Sequence, residues 1–142
     1  MRNRMLGAAA AAGGALSFLF GGWDASLNTL LIFMGIDYLT GLAAAGIFHA
    51  SDKSESGALS SKAGFKGICR KCAVLLLVLV GARLDVTLGT AFVKDGVCIA
   101  FILNETLSVT ENVGAMGVPI PAPIRRAVEL LRSRGEDPGE DK

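Results

Sequence analysis

The sequence predicts an all-α membrane protein with four transmembrane helices, both termini in the cytoplasm and a short interfacial helix after the last crossing. Three observations predict it. The chain of 142 residues is 51% hydrophobic and 19% charged, with a mean hydropathy of +0.50, too apolar for a soluble domain of this size. Four apolar stretches, 6–22, 26–48, 73–92 and 96–118, would reach roughly 25, 34, 30 and 34 Å as helices, against a hydrocarbon core of about 30 Å. Twelve of the fourteen basic residues fall at the N-terminus, between the second and third stretches, or in the C-terminal tail. A single domain over 1–132 holds these spans, and the length leaves no room for a separate soluble catalytic domain.

The first stretch follows Arg2 and Arg4 and ends in Phe20-Gly21-Gly22-Trp23-Asp24, which lacks a small-x-small cleavage pattern, so it reads as a retained helix rather than a signal peptide. Ala9, Gly13, Ser17 and Gly21 recur every four residues, a spacing that lines small side chains along one face and lets another backbone come close. The plainer reading of the same residues is an Ala-rich helix with scattered glycines. Gly41 offers a further packing position on the second span. The turns at 23–25 and 93–95 are very short, whereas the connection at 49–72 is long and basic. The positive-inside rule therefore places both termini and 49–72 in the cytoplasm; a three-span chain would move one end outside and break this agreement.

Within that connection, 51–61 is rich in Ser, Gly and charge and is expected to be mobile. Lys62, Lys66, Arg70 and Lys71 form a juxtamembrane segment expected to touch anionic lipid, without the interleaved aromatics that nucleic-acid binding would use. After Pro119, Pro121 and Pro123, the residues Ile124, Ala127, Val128 and Leu131 share one helical face. Arg125 and Arg126 lie off it, again suited to lipid headgroups. Residues 133–142 are expected to be disordered.

Ionisable groups stand deep in these spans: Asp37, Arg83, Asp85, Glu105 and Glu111, with a net charge of −3 if all are ionised. An Asp, Lys or Arg at a helix centre costs roughly 2.5–3.5 kcal/mol on insertion scales, so such side chains should face protein or water. Asn104, Glu105, Ser108, Glu111 and Asn112 follow spacings of three and four and form one polar stripe on the fourth span. Asp37 and Thr40 lie one turn apart on the second. Interhelical hydrogen bonding and pore lining account for these positions equally well. In the first case Arg83 would pair with Asp37, Asp85 or Glu105. No metal site is expected, since His49 is the lone histidine and Cys69, Cys72 and Cys98 lack a fourth ligand. No nucleophile has a base beside it, so neither cofactor nor enzymatic activity is expected.

Several motifs together resemble the toxin secretion/phage lysis holin family. They are Asp37-Tyr38-Leu39-Thr40-Gly41; Ser60-Ser61 followed by Gly64, Gly67-Ile68 and Lys71; Asn104-Glu105-Thr106-Leu107-Ser108-Val109-Thr110-Glu111-Asn112; and Gly117-Val118-Pro119-Ile120-Pro121. The resemblance covers about 27–131 and departs at the Ala/Gly-rich first span and the tail. It implies a phage-encoded or prophage-derived protein that accumulates in the bacterial cytoplasmic membrane, oligomerises and opens lesions at a set time. Endolysin would then reach the cell wall; relatives encoded beside toxin genes are thought to aid toxin release. A narrow ion or solute channel, a small transporter subunit and a non-pore-forming holin regulator are the competing functions.

Overall fold

The computed structural model describes residues 1–51 and 56–136, which are helical with no strand among them. Five helices follow in order: α1 (Arg2–Leu19), α2 (Ala25–Gly46), α3 (Ser61–Leu88), α4 (Val93–Ala115) and α5 (Ala122–Glu136). Their boundaries have local causes. Asp24 caps α2 by accepting from the Leu27 N–H at 2.8 Å, and Ser60 caps α3 through the Ala63 N–H at 3.3 Å. Gly89 ends α3 in the left-handed conformation at φ +67°, which glycine adopts without strain.

Three helices build the core, with α4 packed against both α2 and α3. Lys94 at the start of α4 meets the start of α2, and Asn112 near its end meets Asp37 and Thr40, so α2 and α4 run parallel. Asp85, late in α3, reaches the beginning of α4, so α3 runs the other way. Leu27, Leu30, Met34, Val74, Val78, Cys98 and Ile102 fill the space between them. The backbones of α3 and α4 approach closely at Gly81, where a Cβ would stand 3.2 Å from Lys94 Cα. That glycine lets α3 and α4 meet within one copy. Within one copy α1 packs lightly on α3 alone; Ala9 and Gly21 are exposed, and a Cβ on Gly13 would touch nothing within 4 Å.

Other boundaries differ from those the sequence suggested. The basic segment from Lys62 to Cys72 is no separate connection but the first part of α3, because the Ser60 cap starts the helix ahead of it. Of the tail expected to be disordered, 133–136 belong to α5, which continues through Glu136, and 137–142 lie outside the described residues. The expected mobile loop also lies in part outside them, at 52–55. Rather than standing apart, α5 folds back along α4. Ile124, Ala127 and Leu131 face Val109 and Val113 of α4 and Phe33 and Ile36 of α2 across a groove of about 520 Å³.

Of the helices described, α2 is the one long and apolar enough to cross a membrane by length and composition. Lys71, Arg83 and Asp85 interrupt α3, and the polar stripe from Asn104 to Asn112 lowers the hydropathy of α4. The distribution of side chains is nonetheless inverted relative to a water-soluble domain. Asp37, Asp85, Lys94, Glu105 and Asn112 are buried, while Ile32, Leu39, Leu76, Leu77 and Val80 are exposed, Leu76 at 62%.

Gly81→Leu should destabilise the bundle by about 1–3 kcal/mol, because Lys94 backbone must yield. Gly13→Leu should stay within about 0.5 kcal/mol of wild type. Equilibrium unfolding in detergent micelles checks both; equal losses would contradict the assigned contact.

Candidate functional site

The polar centre is built from one residue or pair on each core helix. Asp37 and Thr40 share a face of α2, Lys71 lies three residues before Val74 on the core face of α3, and Glu105 and Asn112 are two turns apart on α4. Lys71 Nζ donates to Asp37 Oδ2 at 2.7 Å and to Glu105 Oε2 at 2.5 Å. The Asn112 amide donates to Asp37 Oδ1 at 3.1 Å, to the Asp37 carbonyl at 3.2 Å and to the Thr40 hydroxyl at 3.1 Å. Thr40 in turn donates to the Ile36 carbonyl at 2.8 Å. Among the described residues no buried side-chain nitrogen or oxygen lacks a partner.

One cation thus faces two carboxyl groups, which leaves the trio one negative charge in excess if all three are ionised. A cleft of about 80 Å³, lined by Tyr38, Ser60, Gly64 and Gly67, reaches Asp37 and Lys71 from the end of the bundle where α3 begins. The Lys71 side chain is 17% exposed, so water in this cleft can touch the ion pair. The arrangement holds three helices together through charges that would be costly to separate inside an apolar surround.

A second polar cluster closes the opposite end. Asp85 accepts from the Val93 N–H at 3.0 Å, the Lys94 N–H at 2.9 Å and the Thr90 hydroxyl at 2.6 Å. It therefore caps α4, whose own N-cap, Phe92, has no side chain able to do so. Lys94 Nζ bonds Asp24 Oδ2 at 2.8 Å and the Gly22 carbonyl at 3.0 Å, tying the α1–α2 turn to α4. Burial works against the charged form of Asp24, but Lys94 and the Leu27 N–H outweigh it and hold the carboxyl below its ordinary range.

Placement of the expected residues is therefore mixed. Asp37, Thr40, Glu105 and Asn112 come together at the centre. Lys71, expected among the lipid-facing bases, turns inward because it continues the spacing of Val74, Val78, Gly81 and Asp85; Lys62, Lys66 and Arg70 are exposed. Arg83, expected to neutralise a buried acid, is exposed on the far side of α3, and Asp85 serves as a cap. The α4 stripe is split: Glu105 and Asn112 face inward, Asn104 and Glu111 are exposed, and Ser108 is half-buried. Arg125 and Arg126 lie exposed on α5. Asp24, Lys94 and Gly81 went unrecognised. Extending the period of α3 backward from Val74 would have singled out Lys71, whereas nothing local marks Lys94.

An ionic interior wrapped in apolar surface defines a class: a small helical membrane protein. The bacteriophage holin family model matches residues 14–133, and the chain belongs to that family, which is not one of enzymes. An uncharacterized Listeria innocua protein is 34% identical over 129 residues, covering 90% of this chain and 86% of its own. An uncharacterized protein of Clostridium perfringens is 36% identical over 124 residues, 86% of this chain and 88% of its own. A probable holin of Bacillus phage phi105 is 31% identical over 127 residues, 89% of this chain and 87% of its own. No solved structure matches.

Lys71→Met should cost about 3–5 kcal/mol, because it strands two carboxylates, whereas Lys66→Met should cost under about 0.5 kcal/mol. Unfolding in micelles distinguishes them, and equal stabilities would refute the central bridge. The Asp24 carboxylate lies below its unfolded pKa, so its stabilisation is present above the ordinary carboxylate range and is lost as pH falls through the lowered value. Asp24 is 44% exposed and its bridge screened, so the effect is modest. Melting curves between pH 3 and pH 7 should show that dependence in wild type and a smaller one in Asp24→Asn.

Proposed function

We propose that this protein is a holin that crosses the bacterial cytoplasmic membrane four times, through α1 to α4, with both termini inside. It accumulates as a closed bundle, oligomerises, and opens lesions that let endolysin, or a toxin, leave the cell. The observation that carries this reading is the Lys71–Asp37–Glu105–Asn112 network, a polar interior satisfied within a single copy beneath a lipid-compatible exterior. Membership of the holin family supports it. On α3, Lys62, Lys66 and Arg70 lie at the proposed cytoplasmic end; together with Arg125 and Arg126 of α5 they suit anionic headgroups.

In the closed state Lys71 bridges both carboxylates, so copies gather without opening a path through the bundle. Opening separates α3 from α2 and α4, and the excess negative charge then favours any arrangement in which Asp37 and Glu105 meet water. Asn104, Ser108 and Glu111 on the outer side of α4 would join them along a lumen or a seam between copies. Moving one charge through 100 mV is worth about 2.3 kcal/mol, so the membrane potential restrains the step and its collapse favours it.

Inducible expression in bacteria containing a cytoplasmic endolysin should give normal growth followed by abrupt clearing, and no clearing without endolysin. Lys71→Met and Glu105→Gln should insert and shift the clearing time by minutes or more, Lys71→Met toward earlier lysis. Ion leakage with no endolysin-dependent clearing would point to a narrow channel. Unchanged timing in both variants would remove the network from the mechanism.

A further inference from the structure

The end of the bundle where α4 begins carries five charged side chains: Asp24, Arg83, Asp85, Lys94 and Asp95. Three are spent within the copy. Lys94 bonds Asp24, and Asp85 caps α4. The two left over have opposite sign. The Arg83 guanidinium and the Asp95 carboxylate are both exposed, and among the described residues neither has a hydrogen bond or ion pair. Asp95 lies in the first turn of α4, where the helix dipole favours an anion but supplies it no hydrogen-bonding partner here. Arg83 stands among exposed apolar side chains, Val80, Leu84 and Val86, a costly surrounding for an unpaired cation at a lipid-facing surface.

Their heights match. Gly81 and Lys94 are level, as their close contact fixes, and the two helices run in opposite directions. Arg83 is two residues past Gly81 and Asp95 one past Lys94, so their Cα atoms differ in height by roughly 4–5 Å at 1.5 Å per residue. An extended arginine spans that difference. Copies inserted in the same orientation carry these groups at the same depth, and each copy offers what its neighbour lacks. We propose that Arg83 of one copy pairs with Asp95 of a second copy, making this end of α3 and α4 the contact by which holins associate side by side. A pair at the membrane border is less hydrated than one in bulk water, and it fixes which faces meet.

The proposal rests on the membrane assembly read above, but its test reads association rather than lysis. Two differently tagged full-length chains, Arg83→Asp and Asp95→Arg, are expressed alone or together and recovered from membranes in mild detergent. Each alone places like charges at the contact; together, every pair is complementary. Co-purification of the unlike chains should exceed that of either chain with itself by about fivefold or more. The double swap Arg83→Asp/Asp95→Arg should self-associate as wild type does. A pairing inside one copy would give the double swap its recovery but not the mixture. Should a reversed chain fail to reach the membrane, Arg83→Gln and Asp95→Asn serve instead: each should weaken self-association, and their combination no more than either. Unlike chains that associate no better than like ones, or neutral variants whose losses add, would overturn the assignment. Such a result with timed lysis intact would leave the holin reading standing.

Discussion

One ammonium group shared between two carboxylates sets the terms for the rest of this protein. Lys71 is the one described cation at the centre of the bundle, and through it α3 is bonded to α2 and to α4 at once. Direct packing between α2 and α3 is slight, so their association runs through α4 and through this bridge. An apolar interface tolerates gradual loosening, whereas a buried ion pair does not. Separating the charges by a few ångströms in a poor dielectric is steeply unfavourable until water arrives. Such a contact gives two states, bridge made or bridge broken, rather than a continuum.

The two ends of the bundle are organised differently. Where α4 begins, Asp85 and Lys94 use their charge to close backbone groups, fixing the α1–α2 turn, the end of α3 and the start of α4 together. Where α3 begins, the cleft beside Tyr38 and Gly64 admits water toward Lys71. The first arrangement is a clasp that commits Asp24, Asp85 and Lys94 within the copy. The second is the less protected approach to the central pair, and disturbance entering there meets the bridge directly.

Much of this was legible in the chain. Five helices and their order follow from apolar length and short turns, because these depend on neighbours in sequence; the start of α3 at Ser61 rather than at 73, set by the Ser60 cap, was not foreseen. Asp37, Thr40, Glu105 and Asn112 could be named because a carboxylate or amide within an apolar run has few outlets. All four, and Lys71, belong to the motifs that resemble the holin family, although those motifs lie on three separate helices. The failures share one cause. Lys71 was assigned by the company of Lys62, Lys66 and Arg70, while its environment was decided by helical phase, which places it on the face of Val74 and Val78.

By itself, then, the sequence determined the class of protein, the helices and the set of polar groups that had to be sheltered, since burial cost and helical period are local properties of a chain. Only the tertiary structure decided which charge shelters which. Arg83 and Lys71 are both cations on α3, and composition favours neither. The rotation of that helix against α4, set by the Gly81 contact, turns one toward the carboxylates and the other away.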